Sequence, residues 1–228
     1  MQVTIGPWRI ALERTQPTLP ELIRMYDVGA THWHRAIERL GYLQAYTALF
    51  QQIQAERVFG PVPTNARVLD AGIGTGALSL ALMQLAWFNF HLDGVDLSLA
   101  MLRQAHRLLN QMGLQYTLTQ QDVCTLQFPS ATFDLVMSAH VLEHVSDPPA
   151  ALREMVRVLR PDAPLLLLVS QPGILTTFIQ LRWRYVAHTA NPVKQWINEA
   201  GVRDVHIYPL RGVLPSRTSL AYLGFKRE

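Results

Sequence analysis

Twelve residues, Ala66 to Ala77, constrain this chain more than any others: Ala-Arg-Val-Leu-Asp-Ala-Gly-Ile-Gly-Thr-Gly-Ala. Val68 and Leu69 make a short apolar run closed by Asp70. Three glycines then alternate with Ile73 and Thr75, and Leu78-Ser-Leu-Ala-Leu-Met opens a helical pattern. The order predicts a strand, a tight turn and a helix. Glycine accepts positive φ and has no Cβ to hold a ligand off the backbone, and the start of a helix offers unpaired N–H groups to an anion. A small anionic group is therefore expected above Gly72, Gly74 and Gly76.

The spacing G-x-G-x-G, with Ala77 in the sixth place, also fits a dinucleotide fingerprint, so the glycines alone do not choose the ligand. Asp70 tips the choice. A carboxylate at that point repels a pyrophosphate and suits an ammonium. The favoured ligand carries both an amine and a carboxylate, as the methionine half of S-adenosylmethionine does. The plain alternative is a glycine turn that merely packs.

With 228 residues the chain is long enough for one sizeable α/β domain and a small appendage, and a second full domain is not expected. At 49% hydrophobic and 16% charged residues the composition is globular rather than disordered. The longest strictly apolar run, Leu165 to Val169, falls far short of the roughly 20 residues of a membrane span. Met1-Gln-Val-Thr-Ile lacks a signal-peptide pattern. A cytoplasmic protein is expected. The single cysteine, Cys124, excludes an internal disulfide and reads as a small buried side chain. Net charge is +3 with the Arg and Lys residues scattered, which is no nucleic-acid footprint.

Gln2 to Ile5 and Trp8 to Leu12 flank Gly6-Pro7 as a hairpin or two extended pieces. From Pro20 to Ile53 the apolar spacing is helical and reads as three helices, rich in aromatics and histidines that include Tyr26, His32, Trp33, Tyr42 and Tyr46. Core packing is the default for such residues, but a helical segment ahead of a ligand-binding strand can also act as a lid, with Tyr26 and Trp33 as candidate contacts. The boundary falls at 58/59, with residues 1–58 as extension and cap and 59–228 as the ligand-binding domain.

Beyond the glycine helix, Phe88 to Val95 is a strand ending in Asp96, twenty residues past Gly76, the separation of a carboxylate that takes ribose hydroxyls. Ser98 can cap the next helix. Further strands are read at Tyr116–Gln120, Phe133–Ser138, Leu165–Val169, Val202–Tyr208 and Ser219–Phe225. A helix lies between Asp147-Pro-Pro and Arg160-Pro161, and Ile174 to Ala200 is helical with a break near Asn191-Pro192. The alternation predicts a doubly wound, mostly parallel sheet with its ligand at the carboxyl ends of the strands, where Asp70, Asp96, Asp122 and Ser138 fall.

Six segments in order make the chain resemble the class I S-adenosylmethionine-dependent methyltransferases, in particular the small-molecule group called type 11. They are Val-Leu-Asp-Ala-Gly-Ile-Gly-Thr-Gly (68 to 76), Gly-Val-Asp-Leu-Ser (94 to 98), Gln-Asp (121 to 122), Phe-Asp-Leu-Val-Met-Ser (133 to 138), Val-Leu-Glu-His-Val (141 to 145) and Arg-Val-Leu-Arg-Pro (157 to 161). The resemblance covers about residues 60 to 226. It implies a seven-stranded Rossmann-like sheet whose last strand is antiparallel and inserted beside the fifth. It implies S-adenosylmethionine as cofactor and methyl transfer to a small molecule, and the aromatic residues of the first 55 positions and of Gln171 to Ala190, with Phe178, Trp183 and Tyr185, suggest a largely apolar or aromatic acceptor. By the same resemblance Gly72, Gly74 and Gly76 cradle the methionine portion beside Asp70, and Asp96 holds the ribose. Leu97 and Met101 line the adenine, Val123 belongs to the same cofactor site, Asp122 accepts from the exocyclic amine, and Ser138 or Ala139 faces the methyl end. The chain departs from the pattern at Pro161-Asp-Ala, where the group has Pro-Gly-Gly, so an altered turn is expected there.

His140, Glu143 and His144 follow the fourth strand of this domain. If they start a helix, all three share one face. Certain relatives bind a metal here through Glu-x-x-Glu-His, which His140 alters, so no metal is assigned. His140 is the candidate catalytic residue, as base or acceptor-orienting group, against a purely structural role. The competing functions are a nucleotide-dependent oxidoreductase, which leaves Asp70 and Asp122 unexplained, and a binding module without catalysis. A nucleic-acid methyltransferase is disfavoured because Asp147-Pro-Pro lacks a following aromatic to stack on a base.

Overall fold

Apolar strands alternating with amphipathic helices close into one sheet of seven strands. The structure, a computed structural model, describes residues 2–5, 8–11, 17–59, 63, 65–85, 89–113, 115–183 and 185–228, the side chains of 2–5, 8–11, 19, 30–32, 178 and 181–183 excepted. The elements in order are β1 (Gln2–Ile5), β2 (Trp8–Ala11), α1 (Leu19–Arg39), α2 (Tyr42–Ala55), β3 (Ala66–Ala71), α3 (Ala77–Met83), β4 (Phe90–Asp96), α4 (Leu99–Leu109), β5 (Tyr116–Gln120), β6 (Leu135–Ala139), α5 (Pro148–Val158), β7 (Pro164–Ser170), α6 (Ile174–Trp183), α7 (Ala190–Glu199), β8 (Val202–Pro209), α8 (Pro215–Thr218) and β9 (Ser219–Lys226). β1 and β2 pair antiparallel as a separate hairpin.

The strand order is β5-β4-β3-β6-β7-β9-β8. The pairs from β5 through β7 are parallel, and β9 runs antiparallel between β7 and β8, as the resemblance implied. Because β3 has β4 on one side and β6 on the other, the connections diverge at the carboxyl end of β3 and leave a crevice there. Both faces of the sheet are covered. Along β7, Leu166 and Leu168 join the core shared with α2, α3 and α4, while Leu165, Leu167 and Val169 join the one shared with α5 and α7. A strand buried on both faces has to be apolar throughout, which is why 165–169 shows no alternation.

Local sequence decides most element ends. Ser98 Oγ accepts from Met101 N at 3.1 Å to cap α4, and Asp147 Oδ1 accepts from Ala150 N at 2.9 Å to cap α5 ahead of its two prolines. Asp162, standing where the group has glycine, takes φ 59, a left-handed conformation that Asp tolerates better than most side chains.

Three expectations are corrected. Among the described residues two helices rather than three precede β3, because α1 runs unbroken from Leu19 to Arg39. The break after α6 lies at 185–189, and Pro192 sits inside the first turn of α7, where its missing N–H costs nothing. Finally, residues 140–145 form a turn and not a helix: His140 has φ 57. The Gly6-Pro7 turn, Leu12, Phe88 and the side chains of His32, Phe178 and Trp183 lie outside the described residues. Among the described residues no helix is long and apolar enough to cross a membrane.

α1 and α2 have different tasks. α2 buries Tyr42, Ala45, Tyr46, Leu49, Phe50 and Ile53 in the core it shares with α3. α1 packs on α4 and α2 and reaches across the carboxyl ends of the strands.

Candidate active site

The turn after β3 is shaped by its backbone. Gly72 N and Ile73 N both donate to Val95 O at 2.8 Å, which ties the turn to β4. Gly72 and Gly74 have φ 76 and 55. A Cβ on Gly72 would lie 2.2 Å from Val141 Cγ2, so only glycine lets the loop after β6 close onto the turn. At Gly74 a Cβ would meet nothing within 4 Å, because the backbone there borders open space.

That space is a cavity of about 1080 Å³. Its volume is at the upper end for a small-molecule site and suits two ligands side by side. One half is lined by Asp70, Gly72, Ile73, Gly74, Thr75, Asp96, Leu97, Met101, Asp122 and Val123. The other half is lined by Leu22, Tyr26, Trp33 and Ile37 of α1, by Tyr42 and Tyr46 of α2, and by His140, His144, Ser170 and Tyr185.

The three aspartates differ in what holds them. Asp70 is 1% exposed and accepts from Ser79 Oγ at 2.6 Å. Burial pushes its carboxyl up to about 7, against the hydrogen bond from Ser79 and with added repulsion from Asp96. Asp96 accepts from Gly74 N at 2.9 Å and from Ser98 N at 2.8 Å. Burial raises it to about 6 although these backbone donors pull the other way. Asp122 accepts from Cys124 N at 2.8 Å, which aims its side chain along the loop after β5.

The opposite half is a polar cluster in aromatic surroundings. His140 Nδ1 lies 3.1 Å from Glu143 Oε1 and 3.0 Å from Ser170 Oγ, and Ser170 N donates to the same Glu143 oxygen at 2.6 Å. Burial alone would raise Glu143, but its hydrogen bond from His140 and the two nearby imidazoles hold it at about 2. His144 Nε2 is 2.8 Å from the Tyr26 hydroxyl, and burial lowers this imidazole to about 4. Tyr26, Tyr185 and Tyr42 surround the pair edge-on or tilted, Tyr26 and Tyr185 against His144 and Tyr42 against His140. α1 is fastened over the cavity by Tyr26, by Asp27 Oδ1, which accepts from Ser98 Oγ at 2.5 Å, and by a 3.4 Å contact of His34 with Thr75.

Of the residues singled out in the sequence, Asp70, Gly72, Gly74, Asp96, Leu97, Met101, Asp122, Val123, Ala139, His140, Tyr26 and Trp33 share this cavity. Three lie outside its lining, Gly76, Ser138 and Glu143, the last hydrogen-bonded to His140. Gly76 faces Ala105 of α4, and Ser138 spends its hydroxyl on Ala71 O at 2.6 Å. Tyr185, read as pointing to an aromatic acceptor, also lines the cavity, while Ile73, Thr75 and Ser170 were not anticipated. Ile73 and Thr75 alternate with the glycines and could have been read from that spacing, whereas Ser170 and Tyr185 are brought in by tertiary packing. Among the described residues no three His, Cys, Asp or Glu side chains are arranged to hold a metal ion.

Residues 69–167 match the family described as "Methyltransferase domain". That segment is a methyltransferase domain of the S-adenosylmethionine-dependent kind. The chain is 38% identical over 98 residues to a phosphatidylethanolamine N-methyltransferase of Cereibacter sphaeroides, covering 42% of this chain and 46% of that one. It is 29% identical over 164 residues to a demethylmenaquinone methyltransferase of Porphyromonas gingivalis, covering 68% and 64%. The chain thus spans 46–64% of the length of these curated relatives. Among solved structures, an S-adenosylmethionine-dependent methyltransferase of Thermotoga maritima superposes with a TM-score of 0.67 over 90% of this chain and 99% of that one, at 17% identity, a likeness of fold. The glycine turn and Asp70, Asp96 and Asp122 of this methyltransferase fold all lie within the matched residues.

Proposed function

We propose that this chain catalyses methyl transfer from S-adenosylmethionine to a small, largely apolar or aromatic acceptor. The observation that carries the reading is the single cavity with two unlike halves, a turn of backbone and carboxylates facing a wall of aromatic rings. Relatives named for a phospholipid and a quinone agree with an apolar acceptor.

The residues fit the cofactor. Open space beside Gly74 leaves room for a ligand against the backbone. Asp70, a buried carboxyl with Ser79 Oγ as partner, gains a counter-charge from an ammonium. Asp96 is aimed by two backbone donors and keeps lone pairs for ribose hydroxyls. Leu97, Met101 and Val123 offer apolar wall to the adenine, with Asp122 as acceptor for its amine, while Gly76 and Ser138 support the cradle from behind. When bound, the cofactor supplies a methyl carbon already activated by its sulfonium. The chain then has to orient the acceptor, hold it near the carbon and exclude water. We assign residues 1–58 as extension and cap, with α1 as a lid carrying Tyr26 and Trp33, and residues 59–228 as the cofactor domain.

Thermal denaturation tests the reading. S-adenosylhomocysteine should raise the Tm in a concentration-dependent way while NAD and NADP leave it unchanged. Stabilisation by a nicotinamide dinucleotide instead would overturn it. Hydrogen exchange should slow in α1 when S-adenosylhomocysteine and acceptor bind, and unchanged exchange there would remove the lid.

A further inference from the structure

Three buried side-chain atoms in the loop after β6 have no hydrogen-bond partner: His140 Nε2, Glu143 Oε2 and His144 Nδ1. His140 and His144 line the cavity and Glu143 is bonded to His140, and unpartnered polar atoms on lining residues call for a polar guest. The guest's chemistry follows from the His140 ring. Its left-handed backbone, with N donating to Leu168 O at 2.8 Å, fixes where the ring stands. Glu143, a buried carboxylate, can only accept, so the proton shared with it sits on Nδ1. Ser170 braces the arrangement from β7: its N–H donates to Glu143, and its hydroxyl oxygen, 3.0 Å from Nδ1, accepts a share of the same Nδ1–H. Nε2 is left as a buried, unpartnered lone pair on a residue that lines the cavity. A carboxylate that fixes the imidazole tautomer and stabilises the imidazolium is the arrangement of a general base. Tyr42 packs against the His140 ring, and Tyr26, Trp33, Tyr46 and Tyr185 line the same cavity, walls for a flat ring.

We infer that His140, positioned by Glu143 and Ser170, accepts the proton of an aromatic hydroxyl, so that the methyl acceptor is a phenol methylated on oxygen. This rests on the methyl-transfer reading of the cavity. The hydroxyl proton passes to Nε2 and the oxygen lone pair forms the bond to the methyl carbon. The carbon–sulfur bonding pair stays with sulfur, the products are an aryl methyl ether and S-adenosylhomocysteine, and the imidazolium returns its proton to solvent. His140 is the catalytic residue, and Glu143 and Ser170 are positioning residues.

The test is nitrogen NMR of histidine-labelled full chain with S-adenosylhomocysteine bound, at pH 8. His140 should carry its proton on Nδ1 with Nε2 bare; a proton on Nε2 would overturn the inference while leaving methyl transfer standing. No calorimetric binding of S-adenosylhomocysteine would overturn both. Turnover supplies the second arm, with catechol and aniline as probes. Catechol should yield its methyl ether. The variant His140→Gly, which suits the left-handed backbone, should lose at least 100-fold in kcat while S-adenosylhomocysteine affinity stays within twofold, and added imidazole should restore at least tenfold. Glu143→Gln should lower kcat at unchanged KM. Transfer to aniline but not catechol, or full activity of His140→Gly, would contradict the inference.

Discussion

The two halves of the cavity are built by different means. The half at the ends of β3, β4 and β5 is made by backbone: glycines at positive φ, N–H groups tied to Val95, and aspartates held by main-chain or neighbouring hydroxyl donors. The half under α1 is made by side chains that meet from five separate parts of the chain, α1, α2, the turn after β6, β7 and the segment after α6. Backbone cradles tolerate almost no change, whereas a side-chain wall can be rebuilt one residue at a time. The difference fits a constant cofactor on one side and a variable acceptor on the other.

The largest expected effect comes from the cradle. Gly72→Ala combines left-handed strain with a clash against Val141 and should cost about 2–4 kcal/mol of stability. Gly74→Ala meets no neighbour, so it should cost only about 1–2 kcal/mol of strain and act mainly by weakening S-adenosylhomocysteine. Denaturant unfolding of both variants checks the ranking. Equal losses would mean that the Val141 contact does not shape the turn.

Next is a proton linkage. Asp70 and Asp96 stand at about 7 and about 6, above the ordinary carboxylate range, and an ammonium and ribose hydroxyls favour their ionised forms. Binding of S-adenosylhomocysteine should therefore release protons near pH 6. Affinity should rise from pH 5 to about 8, by up to about tenfold per pH unit for each linked proton, and then level off. Calorimetry in buffers of different ionisation enthalpy reads the sign directly, and proton uptake would break the assignment.

The smallest effect belongs to the wall. Tyr26→Phe removes the hydroxyl beside His144 and should cost about 1 kcal/mol of stability. S-adenosylhomocysteine affinity should move less than twofold while acceptor KM rises. A larger change in cofactor than in acceptor binding would place Tyr26 in the other half.

The same contrast explains what the sequence disclosed. Val68 to Gly76, Asp96 and the cap residues Ser98 and Asp147 were legible because their roles are set within a few residues of themselves. Pro192 was misread because proline breaks a helix interior but starts a helix equally well, and the pattern does not say which. His140 was expected on a helix face because its spacing to Glu143 and His144 allows one, but its backbone and its bond to Leu168 hold the segment in a turn. The pairing of Glu143 with Ser170, 27 residues away, exists only once β6 and β7 lie side by side. Gly76 and Ser138 fit the motif, yet they face α4 and β3, a distinction of direction that a spacing does not carry.

The central claim is that the ends of β3 and β4 form the cofactor half, and one titration tests it most directly: calorimetry of S-adenosylhomocysteine against the unaltered chain and Asp96→Ala at pH 8. The account predicts a loss of about 1.5–3 kcal/mol in Asp96→Ala, the range for hydrogen bonds to a charged group, with the fold retained by circular dichroism. Equal affinity of the two proteins would contradict it.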